Sequence, residues 1–259
     1  MKKVILTGFL MLFALFGLSA CGNEDKLTMA TAAEFPPFEY KEGEAFKGID
    51  VEIAQEIAKR LGKTLEIKDM EFDSVVSAIS SGNADFGASG LTINENRSKV
   101  INFSSSYYNA AQVVIIKNDN EKLKAVSKDA KALFEAIDSQ KGIKIGVATG
   151  TTGSFYAHGD KDWGFVGFKN AEIKNFVNGS LAVNALVNGQ VEIVILDEAP
   201  AKILSRANAG TQVLEAFLTE EKYGIGVNKN NTALLEEINK ALDSMKQDGT
   251  LEAIIKKYF

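Results

Sequence analysis

Arg97 stands beside backbone N–H groups that suit an anion. It follows a run of glycines and small hydroxyl residues, "SGLTIN", that begins at Ser89. Thr92 and Glu95 have the spacing of a capping box, which predicts a helix start with Thr92 as the N-cap. The free N–H groups of a helix start and the planar guanidinium of Arg97 can together hold a carboxylate. The alternative is that Arg97 lies on the surface and pairs with Glu95 or a neighbour.

A second segment, "VATGTTGS", offers similar groups. It follows a predicted strand and leads into a predicted helix. It contains neither Gly-Lys-Ser/Thr nor the GxGxxG spacing, so it does not match a phosphate-binding loop. Thr151 and Thr152 can instead offer hydroxyl and N–H groups to a small anion. The alternative is that one of them only caps its own helix.

A carboxylate and two aromatic residues stand at other predicted strand ends. Asp197 ends the strand in "VEIVILDEAP", where it can hold an ammonium group. With Pro200 in the following turn, Asp197 can equally be a helix N-cap. Phe35 and Phe72 lie just beyond two further strands, where they can sandwich an apolar stem. Core packing is the usual alternative for phenylalanine.

Catalytic and metal-binding patterns do not emerge from the sequence. His158 is the only histidine and Cys21 the only cysteine, so neither a histidine cluster nor an internal disulfide can form. The chain has no GxSxG and no HExxH motif. The sequence therefore predicts no enzymatic activity, no cofactor and no metal site.

The elements that must position these residues alternate between strands and helices. "KLTMATA" and "TLEIKDM" have the pattern of strands, and "IDVEIAQEIAKRLG" places an apolar stripe on one helical face. This alternation predicts an α/β fold with largely parallel sheets. Open sheets of this kind bind ligands at the carboxyl ends of their strands, where the candidate residues stand.

An internal similarity divides the chain further. The segments from Val76 to Phe86 and from Val183 to Ile193 align without a gap at an offset of 107, and each has the pattern helix, glycine turn, strand. The similarity predicts two alike α/β lobes, either through duplication or through reuse of a common unit. In this alignment Asp197 corresponds to Gly90.

The amino terminus differs in character from the rest. Residues 1–20 combine a basic start with an apolar run, and "LSAC" matches the lipobox of bacterial lipoprotein signals. We expect a signal peptide over 1–20, lipid attachment at Cys21 and a lipidated tether over 21–26. The protein is then exported, and anchored to the outer face of the cell membrane or held in the periplasm. The alternative is ordinary cleavage near Ala20, which leaves a free thiol.

The net charge of the exported chain indicates which kinds of partner it does not bind. Two of the 29 basic residues lie in the signal peptide, which leaves 27 against 34 acidic residues. An acidic, exported surface argues against a nucleic-acid partner.

The motifs together resemble the family 3 solute-binding proteins of ABC transporters, which bind polar amino acids. The resemblance runs from about Lys26 to Phe259 and rests on motifs in the family's order: "FPPFEY", "GIDVEIAQEIAKRLG", "TINENR", "GVATGTTGS", "YGIGVNK" and "DGTLEAIIKKYF". It implies a two-lobed, Venus-flytrap fold of the type II periplasmic-binding-protein class with two crossing strands. Lobe 1 is expected to comprise residues 27–111 and 222–259, and lobe 2 residues 112–221 with hinge segments at its ends.

The resemblance also implies what the protein does. A monomer captures an L-amino acid between its lobes, and an ABC transporter permease in the membrane recognises the closed form. Arg97 matches the arginine that clamps the ligand α-carboxylate, and Asp197 the aspartate that holds the α-ammonium. The other positions that match the family's ligand contacts are Thr92 and the Gly90 backbone in lobe 1, Thr152 in lobe 2, and the aromatic pair Phe35 and Phe72.

One departure from the family concerns the ligand side chain. Members selective for basic or amide side chains often carry an aspartate where this chain has Ala32. Glu34 and Gln112 are the candidates to replace it. We therefore expect a polar amino acid, with a basic one as a narrower subset, and leave small or sulfur-containing ones open.

The alternative function is enzymatic. The same fold resembles exported cyclohexadienyl dehydratases, including those that act on arogenate, which need a catalytic acid facing a ring substrate. Nothing in the sequence marks such an acid.

Overall fold

The computed structural model describes residues 26–259. The predicted signal peptide, Cys21 and most of the predicted tether lie outside the described residues. The strands are β1 Lys26–Thr31, β2 Glu34–Phe35, β3 Glu39–Glu42, β4 Ala45–Lys47, β5 Thr64–Asp69, β6 Phe86–Gly87, β7 Ile101–Phe103, β8 Tyr108–Ala110, β9 Gln112–Lys117, β10 Lys144–Ala148, β11 Glu172–Phe176, β12 Ile193–Asp197, β13 Thr211–Val213, β14 Glu221–Tyr223 and β15 Gly226–Asn228. The helices are α1 Ile49–Arg60, α2 Phe72–Ser80, α3 Glu95–Ser98, α4 Glu121–Lys124, α5 Ala130–Asp138, α6 Thr152–His158, α7 Gly179–Val187, α8 Glu198–Ala207, α9 Thr232–Gln247 and α10 Thr250–Lys256. Within residues 26–259, none of these helices has the length and apolar character needed to cross a bilayer.

Two five-stranded sheets form the framework. The first has the order β5-β1-β6-β15-β7 and the second β11-β10-β12-β9-β13. In each sheet four strands run in the same direction, and one strand, β15 in the first sheet and β9 in the second, runs antiparallel to both of its neighbours. We call the half of the molecule built on the first sheet lobe 1, and the half built on the second sheet lobe 2.

The predicted helix–turn–strand unit occurs in both lobes. The same 107-residue offset separates Phe72 from Gly179, where α2 and α7 begin, and Ser80 from Val187, where they end. The strands that follow, β6 and β12, begin at the same offset. Both strands therefore end at equivalent edges of their sheets, which brings Gly90 and Asp197 to corresponding places.

Two crossing strands join the lobes. β8 and β14 pair antiparallel, with Tyr108 opposite Tyr223. The chain passes from β8 into β9 of the second sheet and returns from β14 into β15 of the first. The predicted two-lobed α/β architecture with two crossing strands is confirmed.

Each lobe has its own apolar core. In lobe 1, α1 buries Ile53, Ala54, Ile57 and Ala58, the face that its apolar stripe predicts. In lobe 2, β9 is covered on both sides because side chains alternate across a strand. Its residues Val113 and Ile115 therefore join one apolar cluster, and Val114 and Ile116 the other.

The predicted capping box at Thr92 is wrong. Helix α3 begins at Glu95, and its N-cap is Asn94, whose side chain accepts a hydrogen bond from the N–H of Arg97 at 2.9 Å. Thr92 instead forms a β-bridge with Tyr223 of the hinge. Its hydroxyl donates to Glu221 at 2.6 Å, so it does not cap the helix.

Candidate functional site

A cavity of about 260 Å³ lies between the lobes, at the carboxyl ends of the strands. Lobe 1 and lobe 2 each supply part of its wall. The cavity is lined by all of the predicted ligand-binding residues except Gln112: Glu34, Phe35, Phe72, Gly90, Thr92, Arg97, Thr152 and Asp197.

Arg97 is a buried cation, with 8% of its surface exposed. Its Nη1 donates to the carbonyl of Thr92 at 3.0 Å, and its Nη2 to the carbonyl of Gly150, in lobe 2, at 3.1 Å. Burial lowers the pKa of Arg97 to about 10, so it remains charged at neutral pH. Among residues 26–259 it forms no ion pair, so the alternative that it is a surface partner of Glu95 is wrong.

Two aromatic rings lie within cation–π distance of this guanidinium. Its central carbon lies 5.4 Å from the ring centroid of Phe72 and 5.5 Å from that of Trp163. Phe72 belongs to lobe 1 and Trp163 to lobe 2. Rings from both lobes therefore pack against the guanidinium, which can hold a carboxylate through its N–H groups.

Two threonine hydroxyls join the lobes at the cavity. Thr152 Oγ1 donates to Thr92 Oγ1 at 3.1 Å. The neighbouring Thr151 is the N-cap of α6, because its hydroxyl accepts from the N–H of Ser154 at 3.3 Å. The capping alternative therefore holds for Thr151, and Thr152 keeps its side chain directed towards the other lobe.

Asp197 is a buried carboxylate in the wall that lobe 2 provides. It occupies the N-cap position of α8, yet its side chain makes no capping hydrogen bond. It accepts instead from the hydroxyl of Tyr223. Burial, and then the nearby charge of Glu221, raise the pKa of Asp197 to about 7. A cation beside Asp197 offsets both effects, so the group is suited to an ammonium.

Gly90 brings the backbone against the cavity. Its φ is +53°, and a Cβ at this position would lie 2.9 Å from Cε1 of Phe35. The Gly90 N–H donates to Asp50 at 2.8 Å. Its N–H is thus satisfied inside lobe 1, and the carbonyl is the backbone group of Gly90 that a ligand can use.

The two remaining side-chain candidates have different surroundings. Glu34 lines the cavity and accepts a hydrogen bond from Asn178 of lobe 2. Gln112 lies outside the cavity lining, although it is fully buried. It stands opposite Asp197 in the β9–β12 pairing, and its Nε2 donates to Glu221 at 3.1 Å. The sequence placed Gln112 near the crossing strand, but its amide faces the hinge.

The sequence did not predict the role of Glu221 at the hinge. This hinge carboxylate accepts from Thr92 at 2.6 Å and from Thr219 at 2.6 Å, in addition to Gln112. It lies just before the "YGIGVNK" motif, and the β-bridge between Thr92 and Tyr223 brings it to Thr92. Two further acidic side chains in the cavity wall, Asp69 and Glu71, also gave no sequence signal.

The chain is similar to known proteins over nearly all of its length. The profile of the bacterial extracellular solute-binding proteins, family 3, matches residues 27–259. The arginine-binding extracellular protein ArtP of Bacillus subtilis is 30% identical over 254 residues, which cover 94% of this chain and 93% of that protein. A probable histidine-binding protein of Neisseria gonorrhoeae is 31% identical over 259 residues, which cover 93% of this chain and 90% of that protein.

Solved structures show the same likeness. A mutant of ArgBP from T. maritima superposes with a TM-score of 0.80 at 33% identity, covering 91% of this chain and 95% of that one. The ancestral amino acid-binding protein AncCDT-1, a precursor of cyclohexadienyl dehydratase, gives a TM-score of 0.78 at 30% identity, with the same coverage of both chains. From the family profile, the relatives and the shared two-lobed fold, this chain belongs to the bacterial extracellular solute-binding proteins of family 3.

Proposed function

We propose that this protein binds a free L-amino acid with a polar side chain between its lobes and delivers it to an ABC transporter permease. The observation that carries the proposal is the pairing of Arg97 with Asp197 across one cavity. Each is buried, and each has a pKa displaced towards its neutral form by burial. The α-carboxylate and α-ammonium of an amino acid supply the two missing opposite charges.

The acidic residues of the cavity favour an amino acid whose polar side chain carries a positive charge. Four carboxylates and one arginine line the cavity. An amino-acid backbone uses Arg97 and Asp197, which leaves Glu34, Asp69 and Glu71. Asp69 is already paired with Lys41 at 2.6 Å, so Glu34 and Glu71 are the acids we assign to a ligand cation. The names of the relatives, which refer to arginine and histidine, agree with this choice.

A thermal-shift panel tests the proposal. The protein is stripped of bound ligand by partial unfolding and refolding, and then heated with each of the twenty standard L-amino acids. A ligand that binds only the folded state raises the melting temperature. We expect a rise with L-arginine, L-lysine or L-histidine that exceeds the rise with L-leucine or L-glutamate. A flat response to all twenty contradicts the proposal.

We propose binding without turnover, although AncCDT-1 shows that a dehydratase can arise from this fold. The buried Asp197 accepts a hydrogen bond from Tyr223 and lines the same cavity as Arg97, an arrangement suited to holding an ammonium. Incubation with prephenate and with arogenate is expected to give no aromatic product. Formation of phenylpyruvate or phenylalanine at a rate that depends on protein concentration contradicts this part.

We also propose that the protein is exported as a lipoprotein and works as a monomer. Residues 1–20 are removed, Cys21 carries the lipid, and 21–26 tether the folded part. The lobes divide within the hinge, into 27–111 with 222–259 and 112–221. The lipobox supports the anchor, and the family's extracellular location supports export. Cys21→Ala is expected to release the protein from the membrane fraction into the soluble fraction; equal membrane retention of both proteins contradicts the anchor.

A further inference from the structure

A loop of lobe 2, residues 159–167 between α6 and β11, is closed at its neck. The backbone passes so close to itself that a Cβ at Gly167 would lie 2.5 Å from the nitrogen of Gly159. Inside the neck, the N–H of Asp160 donates to the carbonyl of Phe165 at 2.9 Å, and the N–H of Phe165 donates back at 2.8 Å. The loop therefore holds its own shape on lobe 2 without help from lobe 1.

Trp163 is fixed at the tip of this loop. Its backbone N–H donates to Oδ1 of Asp160 at 3.2 Å. Its ring stacks on Phe155 of α6, with centroids 5.1 Å apart and planes 24° apart. It also stacks on Phe165 at 5.8 Å and 29°. All of these partners belong to lobe 2, so the indole has its position before lobe 1 approaches.

The other side of Trp163 meets lobe 1 at Arg97. The guanidinium carbon lies 5.5 Å from the indole centroid, in a geometry that permits a cation–π interaction. One residue before the indole, Asp162 forms an ion pair at 3.2 Å with Lys99, two residues after Arg97. Trp163 is absent from the lining of the amino-acid cavity, and it contacts the proposed site through Arg97.

We propose that the 159–167 loop is an interlobe latch, in which Trp163 is a positioning residue that holds the Arg97 guanidinium towards the cavity when the lobes close. This inference rests on the proposed function. The contact joins different lobes, so it stabilises the closed form and is absent when the lobes separate. A ligand enters the open form, where the latch does not act, and leaves only after the latch opens.

The test compares Trp163→Leu, which removes the aromatic face and keeps apolar bulk, with the wild-type protein. The probe is radiolabelled L-arginine, chased with unlabelled L-arginine, with L-histidine and L-glutamine as further probes. We expect dissociation to be about tenfold faster and association to change less than about twofold, because a desolvated cation–π contact is lost only from the closed form. Trp163→Phe, which keeps a ring, is expected to restore most of the slow dissociation.

Val166→Ala is the matched control, because Val166 belongs to the same loop but its side chain is exposed, with 76% of the residue surface accessible. Its dissociation rate is expected to stay within about twofold of wild type. The melting temperatures of the unliganded variants show whether each is folded. If the wild-type protein binds L-arginine and Trp163→Leu releases it at the wild-type rate, the latch is contradicted while the proposed function stands. If wild type binds no amino acid, the proposed function falls and the latch falls with it.

Discussion

At the scale of single residues, the site consists of two charges held in an environment that does not favour them. The Arg97 guanidinium is buried against two backbone carbonyls and two rings, and Asp197 is buried against a tyrosine hydroxyl. Desolvating an ion costs several kcal/mol, and neutral partners compensate only in part. We therefore expect a zwitterionic ligand that meets both ions to bind tightly.

Arg97→Ala is expected to weaken amino-acid binding more than about a hundredfold, because the ligand carboxylate is then buried without a charged partner. Arg97→Lys is expected to recover only part of the loss, since an ammonium cannot form two parallel hydrogen bonds. Calorimetric titration measures both effects.

Arg206→Ala serves as the control for this substitution, because Arg206 is exposed on α8. It is expected to bind as the wild type does. Comparable affinities in Arg97→Ala and Arg206→Ala contradict the assigned role of Arg97.

We predict that Asp197 makes amino-acid binding depend on pH. The pKa of the free protein's Asp197 is raised to about 7, so below that pH a proton must leave before an ammonium can bind. We expect the apparent affinity to fall as the pH is lowered through this value. Asp197→Asn is expected to bind poorly at every pH and to lose this dependence, which titrations across the pH range would reveal.

The same pKa shift has the opposite consequence for stability. The folded pKa lies above the ordinary carboxyl value of 3.8, so the folded state binds more protons than the unfolded state between these values. The contribution of Asp197 to stability is therefore lost as the pH rises through about 7. At alkaline pH without amino acid, Asp197→Asn is expected to melt at least about 2 °C higher than wild type. Asp243→Asn, at an exposed site on α9, is expected to leave the melting temperature unchanged; a lower melting temperature for Asp197→Asn contradicts the assignment.

At the scale of elements, parallel strands bring distant residues to one edge. The β-strand and helix pattern predicted this meeting, and the 107-residue repeat predicted that Gly90 and Asp197 occupy equivalent positions. The cap of α3 was mispredicted because Thr92 and Asn94 are both good N-cap residues, and the sequence did not show that the hinge engages Thr92. Glu221 was missed for the same reason, since strand pairing across the hinge decides what it faces.

The close approach of Gly90 to Phe35 predicts that a side chain at position 90 disturbs the cavity. Gly90→Ala places a Cβ 2.9 Å from the Phe35 ring and keeps a positive φ of 53°. We expect it to weaken amino-acid binding about tenfold or more, because Phe35 must move within the cavity wall. Gly43→Ala has a similar φ of 60° but open space around the Cβ. It is expected to lower stability by about 1 kcal/mol through backbone strain and to leave affinity unchanged. Equal affinities in both variants, measured by calorimetry, contradict the close approach at Gly90.

At the scale of the whole molecule, a small number of polar contacts links the lobes around the cavity. Thr152 donates to Thr92 at 3.1 Å, Arg97 donates to Gly150 at 3.1 Å, and Asn178 donates to Glu34. Such contacts give the closed form only a modest advantage. An amino acid that touches both lobes adds its differential affinity and decides the balance between open and closed forms.

This balance predicts a coupled change of shape and fluorescence. L-arginine is expected to reduce the radius of gyration measured by small-angle X-ray scattering. It is also expected to change the emission of Trp163, the only tryptophan of the chain, because closure brings the indole against Arg97. Both signals should saturate at the same L-arginine concentration. Saturable binding without a change in either signal contradicts closure of the lobes.

The most direct test of the central claim is a calorimetric titration of the ligand-stripped protein with L-arginine, L-argininamide and N-acetyl-L-arginine. The three compounds share one side chain, while the second lacks the α-carboxylate and the third lacks the α-ammonium. If Arg97 and Asp197 clamp an amino-acid backbone, L-arginine binds and each derivative is weaker by about a hundredfold or more. Equal binding of all three compounds would contradict the account, because recognition would then rest on the side chain alone.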